Sequence, residues 1–184
     1  AVMDRQSTTD ESAHLSEKIS VNDAFKEAFR WHPGGVALVT ADAGDGPAAL
    51  TATSVTSVSM HPPVLMFSVS RHSSSKATLD LIVIHFLSAD DIELAKLGAT
   101  SGIDRFADTD VWTRLPTGEP VFTQVAIWLK ADVLKRTDVA GSTIMICQVT
   151  EHPLEAGVVR SSGGSLAYVD RAWHRLDDNS EYFS

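Results

Sequence analysis

Apolar and polar positions follow two different periods along this chain, one helical and one typical of strands. Between Val21 and Phe29 the apolar side chains recur every three or four residues, which predicts one face of an amphipathic helix. Ser20 and Asn22 are candidate N-caps for this helix, and Pro33-Gly34-Gly35 should end it.

From residue 36 onward, short β-favouring runs alternate with turn residues. The runs that predict strands are 36–40, 48–59, 64–69, 82–87, 125–133, 143–149 and 166–176. Residues 43–47 form a turn cluster, so the first two strands should pair as a hairpin. Pro62 and Pro63 should break the chain after them, because proline has no N–H to donate to a ladder. Short helices are expected at 76–81 and in the first half of 88–107.

Many short strands with only two or three helices do not fit a βαβ alternation. They favour a mainly β fold, either an antiparallel barrel or a sandwich, with helical additions. Residues 1–20 are rich in Ser, Thr, Asp and Glu and predict a disordered N-terminal arm. Residues 21–176 should then form the folded domain, and residues 177–184 a C-terminal tail.

Charge and composition exclude several classes of function. The formal net charge is −9, but segments 1–18 and 177–184 carry seven of the 24 acidic and only two of the 15 basic residues. The remaining body is mildly acidic, so we expect no nucleic-acid partner, which would need a basic face. No apolar run approaches the roughly 18 residues of a membrane span, and the first residues are polar. We therefore expect no membrane association and a cytoplasmic location.

Neither the cysteine nor the histidines indicate a metal site. Cys147 is the only cysteine and lies in an apolar run, so we expect a buried hydrophobe and no intrachain disulfide. None of the seven histidines has a zinc-ligand spacing, and His85, inside an apolar strand, should be a hydrogen-bonded core residue. The sequence also lacks a dinucleotide-binding glycine motif, a phosphate loop and a nucleophile elbow. We therefore expect no bound metal.

One motif suits a phosphate group. Ser73-Ser74-Ser75-Lys76 follows a predicted strand and begins a predicted helix. Free backbone N–H groups at a helix N-terminus, together with three hydroxyls and an ammonium, could bind a phosphate. A serine-rich cap that merely starts the helix is the alternative interpretation.

The second predicted strand contains an uncharged run of small residues from Thr51 to Ser59. Hydroxylic and small apolar side chains alternate there, so a flat ligand could approach the backbone closely and exchange hydrogen bonds with it. The isoalloxazine ring of a flavin, with its edge of donors and acceptors, is such a ligand. The alternative is an ordinary strand whose Thr and Ser side chains face water.

The order of the motifs resembles the flavin reductase-like, FMN-binding split-barrel family. The pieces that carry the resemblance are Pro33-Gly34-Gly35-Val36, Leu50-Thr51-Ala52-Thr53-Ser54, residues 57–63, residues 69–78, Asp104-Arg105-Phe106 and residues 167–176. The resemblance runs from about Phe25 to Leu176. It implies an antiparallel Greek-key split β-barrel and a homodimer that holds flavin near the subunit interface. It also implies NAD(P)H-dependent reduction of FMN or FAD, with reduced flavin passed to a separate monooxygenase.

The resemblance further implies a set of cofactor contacts. Pro33, Gly34 and Gly35 would lie near the flavin ring, and Thr51, Ala52, Thr53 and Ser54 would line it. Ser68, Val69 and Ser70 would run beside the ribityl chain. Ser73, Ser74, Ser75 and Lys76 would hold the phosphate, with Arg105 as a second cation and Phe106 as a further contact. Ser142 and His174 would lie on the nicotinamide side, and no side chain need act as an acid or base.

Two positions depart from the family's pattern. Gly34 stands where relatives commonly have Thr or Ser, and Ala140-Gly141-Ser142 stands where many have Gly-Asp-His. The missing histidine is associated with nicotinamide, so its absence bears on NAD(P)H use and not on flavin binding. Two alternatives therefore stay open. One is a split barrel that binds flavin, or another planar ligand such as haem, without turnover; the other is an oxidoreductase that keeps its FMN and reduces another small substrate.

Overall fold

The computed structural model describes residues 17–70, 80–156 and 163–182. Two α-helices lie in these ranges, α1 (Val21–Arg30) and α2 (Ile92–Ala99). The strands are β1 (Gly34–Gly35), β2 (Ala37–Asp42), β3 (Pro47–Ala52), β4 (Thr56–Met60), β5 (Pro63–Ser70), β6 (Leu81–Phe86), β7 (Trp112–Arg114), β8 (Pro120–Phe122), β9 (Ile127–Val139), β10 (Ser142–Glu151), β11 (Ser165–Val169) and β12 (Ala172–Leu176). Single turns of 3-10 helix lie at Ala89–Asp91 and at Asp178–Ser180.

Most of these strands belong to one sheet with the order β3-β2-β6-β9-β10-β5-β4. A smaller sheet has the order β1-β11-β12, and β7 pairs with β8. Every strand pairing in the described ranges is antiparallel. The predicted mainly β, antiparallel class is therefore confirmed, whereas closure of the large sheet into a barrel stays a prediction.

Two clusters of buried apolar side chains hold the sheets and α2 together. The first includes Phe67 of β5 and Ile84 of β6. The second joins Leu38 of β2 to Leu94 of α2 and Leu166 of β11. Strand β6 lies in the middle of the large sheet and is buried on both faces, which explains why its sequence is an almost unbroken apolar run.

Two segments predicted as continuous strands are interrupted. Residues 48–59 form β3 and β4, because the chain leaves the ladder at residues 53–55 and Ser54 bonds to β5 instead. Residues 166–176 form β11 and β12, joined by a two-residue turn at Asp170 and Arg171. Each half of both segments has a β-favouring composition, so the local pattern gave no sign of the break.

The helix predictions need smaller corrections. α1 ends at Arg30, before Pro33, and Gly34–Gly35 form a strand. The helix predicted at 76–81 is wrong at its end, since Leu81 opens β6 in the apolar core; residues 76–79 lie outside the described part of the chain. The helix expected in the first half of 88–107 is confirmed as a 3-10 turn followed by α2.

α1 packs differently from the rest of the molecule. It has the predicted amphipathic pattern and the Ser20 cap, but none of its residues is buried in the described structure. The Phe25 and Phe29 side chains contact each other, with ring centroids 4.7 Å apart, and remain 64% and 60% exposed. Among the described residues, neither helix is long and apolar enough to cross a membrane.

Candidate functional site

Exposed hydroxyl groups lie together where β3 ends and β5 runs past it. The Ser54 hydroxyl accepts a hydrogen bond from the Ser68 N–H at 3.0 Å and donates to the Ser68 carbonyl at 3.3 Å. The side chains of Thr53, Ser54, Ser68 and Ser70 are all exposed. We call Gly34, Thr53, Ser54, Ser68 and Ser70 the hydroxyl surface.

The local sequence explains why this surface forms. β4 pairs with β5 only as far as Thr56 and Met66, so the backbone groups of Ser68 lie beyond the end of that ladder. A serine hydroxyl can replace a neighbouring strand as a hydrogen-bond partner for backbone groups. Ser54 does so here, and it thereby fixes the β3–β4 connection against β5.

Gly34 brings a second backbone segment against this connection. A Cβ atom placed on Gly34 would lie 2.8 Å from the Thr53 carbonyl oxygen and 3.2 Å from the Thr53 Cβ. Contacts this short are sterically unfavourable, so only glycine fits here without a local shift. The departure noted in the sequence therefore has a steric reason, because a Thr or Ser at position 34 would collide with Thr53.

Two residues predicted to line a flavin ring point elsewhere. The Thr51 hydroxyl donates to the Ala95 carbonyl of α2 at 3.1 Å, and the Ala52 side chain is buried in the core. Any contact from these two residues to a ligand would therefore come from their backbone groups. Thr53 and Ser54, in contrast, present exposed side chains.

The end of β5 leads toward the predicted phosphate site. Ser70 lies opposite Ser142 in the β5–β10 pairing, which places Ser142 beside the hydroxyl surface. Val69, between the two exposed serines, packs against the core. Ser73, Ser74, Ser75 and Lys76 follow within a few residues but lie outside the described residues.

Comparison with known proteins identifies the family. Residues 29–177 match the family described as flavin reductase like domain. The chain belongs to this family. An NADH:FMN oxidoreductase of Rhodococcus erythropolis is 37% identical over 164 residues, which are 88% of this chain and 84% of the relative.

Two solved flavin reductase structures have a fold similar to that of this chain. A flavin reductase domain protein from Arthrobacter sp. FB24 has a TM-score of 0.76 and 33% identity, and the match covers 85% of this chain and 96% of that one. The flavin reductase component of a bacterial two-component tryptophan halogenase has a TM-score of 0.70 and 25% identity, with coverage of 85% and 99%. The hydroxyl surface lies within the residues that match the flavin reductase-like family.

The Arg105 guanidinium of this flavin reductase-like domain connects α2 to β3. It donates to the carbonyls of Ala49 at 2.8 Å, Leu97 at 3.2 Å and Thr100 at 2.8 Å. Phe106, predicted as a cofactor contact, is buried, and its ring stacks on Phe122 at 5.4 Å. The structure therefore gives both residues packing roles, and contact with a cofactor stays a prediction for each.

The two residues predicted on the nicotinamide side lie in different sheets. Ser142 begins β10 of the large sheet, whereas His174 lies on β12 of the small sheet. The exposed His174 ring has its Nε2 atom 3.3 Å from the Val169 carbonyl. The described structure places only Ser142 beside the hydroxyl surface, through its pairing with Ser70.

The most deeply buried histidine and the cysteine take no part in this surface. His85 accepts a hydrogen bond from the Phe122 N–H at Nε2, so its Nδ1 donates to the Leu38 carbonyl, each at 3.0 Å. Burial lowers the pKa of His85 to about 4 and raises the pKa of Cys147 to about 12. Both are therefore uncharged core residues near neutral pH, as the sequence predicted, and neither is poised for proton transfer or nucleophilic attack.

The donor set of the hydroxyl surface fits a flavin. The residues are small and uncharged, so a flat ring could approach the backbone, and hydroxyl and peptide groups are present for its polar edge. The described residues contain no cluster of three or more His, Cys, Asp or Glu side chains that could hold a metal ion. The chemistry supported by this arrangement is binding and orientation of a planar polar ligand.

Sequence reasoning missed one contact that links the end of α1 to the turn between β11 and β12. Arg30, at the end of α1, forms an ion pair with Asp170, whose carboxylate oxygen lies 2.5 Å from the Arg30 Nε. These residues are 140 positions apart, and although Asp170 lies within residues 167–176, nothing in that segment indicated a contact with Arg30. No local pattern could have indicated the pair.

Proposed function

We propose that this chain is an NAD(P)H-dependent flavin reductase that binds its flavin at the hydroxyl surface. Membership of the flavin reductase-like family carries the proposal, because the match spans residues 29–177 and includes every residue of that surface. The exposed, uncharged character of the surface supports the same assignment independently.

The protein's part in the reaction is to bind and orient. A bound flavin supplies the hydride chemistry, so no side chain needs to act as an acid or base. Thr53 offers its hydroxyl and carbonyl to the polar edge of the ring, and Gly34 and Gly35 offer peptide groups beside it. Ser54 holds the connection rigid through Ser68, which reduces the freedom lost when the ligand binds.

The flavin phosphate is assigned to Ser73, Ser74, Ser75 and Lys76. The support is their position just after Ser70, at the end of the strand that carries the hydroxyl surface. Arg105 remains the proposed second cation, although three of its donors already serve backbone carbonyls. Lys76 should therefore contribute more than Arg105 to phosphate affinity.

FMN and NADH are the cofactor and donor that we propose. The support is the 37% identical relative from Rhodococcus erythropolis, which is named an NADH:FMN oxidoreductase. Ser142 and His174 are proposed to face the nicotinamide, Ser142 through its position beside Ser70.

Steady-state oxidation of NADH and NADPH with FMN, FAD and riboflavin tests the function. We expect turnover, fastest with NADH and FMN. Lack of turnover with every pair would overturn the assignment. If FMN also stayed bound through gel filtration, the result would favour a flavin-binding protein without a reductase cycle. Turnover only after addition of another acceptor would instead indicate an oxidoreductase that retains its FMN.

A homodimer and a separate monooxygenase complete the proposal. The exposed aromatic face of α1 supports association of two copies, because such a patch is normally covered. The halogenase reductase component supports delivery of reduced flavin to another enzyme, since it belongs to a two-component system. The cytoplasmic location inferred from the sequence stays a prediction.

A further inference from the structure

The short segment between α1 and β1 is held at both ends by the hairpin β11–β12. At its start, the Arg30 carbonyl accepts a hydrogen bond from the Asp170 N–H at 2.7 Å, and the Arg30 Nε lies 2.5 Å from the Asp170 carboxylate. At its other end, Gly34 pairs with Tyr168 and Gly35 with Ala167. The hairpin therefore determines where residues 31–35 run.

The turn of this hairpin has an unfavourable backbone conformation. Asp170 and Arg171 have φ angles of +51° and +58°. A two-residue turn with both φ angles positive is normally occupied by Asn-Gly or Asp-Gly, so Asp170 suits the first position, whereas Arg171 is strained at the second. Such strain persists only where the surrounding structure enforces it. Both contacts from Arg30 act on Asp170, so the end of α1 is part of that enforcement.

This turn is connected to the hydroxyl surface through a short chain of contacts. Asp170 follows β11, β11 pairs with β1, and Gly34 of β1 lies against the Thr53 carbonyl with no room for a Cβ. A small shift of the hairpin would move Gly34 relative to Thr53, because Gly34 is paired with β11. Gly34 and Thr53 are in close contact, so their packing cannot absorb such a shift. The change in position would alter the backbone surface that contacts the proposed flavin ring.

We propose that Asp170 is a positioning residue for the flavin, acting through its ion pair with Arg30 and the β1–β11 ladder. The proposal rests on the proposed function, since it concerns the same site. Asp170 does not touch the hydroxyl surface itself. Its role is to hold residues 31–35 so that the peptide groups of Gly34 and Gly35 keep their place beside Thr53.

Two substitutions test the proposal. Asp170→Asn removes the charge but tolerates a positive φ, and Asp170→Gly removes the whole side chain at a φ that glycine adopts freely. We expect each to raise the KM for FMN about five- to tenfold, the loss of one charge-assisted contact in a partly exposed position. The kcat at saturating FMN should stay within about twofold, because chemistry on bound flavin is not altered.

Glu27→Gln is the matched control. Glu27 is the other carboxylate beside Arg30. Its Oε1 lies 3.7 Å from the Arg30 Nη1, and its side chain is 56% exposed. Its removal should leave the KM for FMN unchanged. FMN fluorescence quenching and the thermal midpoint, measured on the same samples, separate loss of affinity from loss of folded protein.

The possible outcomes distinguish a failure of the positioning role from a failure of the proposed function. Unchanged FMN affinity in Asp170→Gly, or affinity that falls only in proportion to folded protein, would overturn the positioning role. An equal loss in Glu27→Gln would attribute the effect to charge around Arg30 and also overturn it. If the unsubstituted protein neither binds nor reduces flavin, the proposed function fails first, which is a separate result.

Discussion

Gly34 is the residue at which one added carbon atom would affect the proposed flavin site most directly. Its neighbour Gly35 offers a contrast, because a Cβ there would meet nothing within 4 Å among the described residues. The two adjacent glycines thus differ in purpose. Gly34 permits a close backbone approach, and Gly35 has space for a side chain.

Gly34→Ala should weaken FMN binding more than Gly35→Ala, whose added methyl group meets no described protein atom within 4 Å. The added methyl group would press on the Thr53 carbonyl from 2.8 Å, and overpacking of this kind costs about 1–3 kcal/mol. We expect the Kd for FMN, measured by fluorescence quenching, to rise about tenfold in Gly34→Ala. Equal affinity in the two variants would contradict a close approach at Gly34.

His85 makes the stability of the fold depend on pH. Burial lowers its pKa from 6.5 to about 4 in the folded protein, so between these values the unfolded chain binds a proton that the folded chain does not. The free energy of unfolding should therefore fall as the pH drops from about 6.5 toward 4. The full loss is about 3 kcal/mol, since each pKa unit corresponds to about 1.4 kcal/mol.

Urea unfolding of His85→Gln checks this dependence. Glutamine offers a donor and an acceptor but does not titrate, so the slope of stability against pH between 6.5 and 4 should flatten. The exposed His152→Gln serves as the control and should keep the slope. An unchanged slope in His85→Gln would mean that other groups cause it.

At the scale of elements, α2 and β3 form one unit that supports the hydroxyl surface. The Arg105 guanidinium joins β3 to the end of α2, and the Thr51 hydroxyl makes a second link to the Ala95 carbonyl. Gly98 of α2 permits this packing, because a Cβ there would clash with the Thr51 hydroxyl. These contacts with α2 therefore fix the position of β3 next to the hydroxyl surface.

Arg105→Lys should lower stability, because one ammonium cannot reproduce the planar fork that reaches three carbonyls. We expect a loss of about 1–2 kcal/mol in the free energy of unfolding. Lys96→Arg, at an exposed position of α2, is the control.

The same Arg105→Lys protein tests the proposed phosphate role. If the Arg105 guanidinium binds the phosphate, its replacement by Lys should raise the KM for FMN. The KM for riboflavin, which has no phosphate, should stay unchanged. Equal KM changes for both flavins would assign Arg105 to structure alone.

At the scale of the whole molecule, the most prominent feature is the uncovered apolar face of α1. Phe25, Phe29 and Trp31 are each about 60% exposed, at 64%, 60% and 61%. Aromatic side chains of this size bury about 150–250 Å² each, so their covering would hide on the order of 300–400 Å². That is about half of one partner's share in a typical stable interface. The estimate fits a second copy that covers α1 together with further surface.

A Phe25→Glu, Phe29→Glu double variant should convert a dimer to a monomer. Because α1 buries no side chain within the described part of the chain, the change should leave the folded monomer intact. Light scattering coupled to gel filtration measures the mass, and far-ultraviolet circular dichroism checks the fold. The solvent-facing pair Lys26→Gln, Glu27→Gln on the same helix is the control. A monomeric unsubstituted protein, or a double variant that stays dimeric, would contradict the proposed interface.

Much of this structure was predictable from local sequence. Period and composition located α1, the β2–β3 hairpin, β5, β6 and β10, because each has a strong apolar pattern bounded by turn residues. The hidden breaks lie at residues 53–55 and at Asp170. There the chain turns because of partners far away in sequence, Ser68 for Ser54 and Arg30 for Asp170.

The sequence by itself determined the antiparallel β class, the core positions of His85 and Cys147, and a family resemblance through the ordered motifs. These depend on local composition and order along the chain. The tertiary structure decided which hydroxyls are exposed together, why position 34 must be glycine, and how Thr51, Arg105 and Phe106 are engaged. Those features are distances between segments far apart in the chain, and a distance of that kind exists only once the sheets have packed.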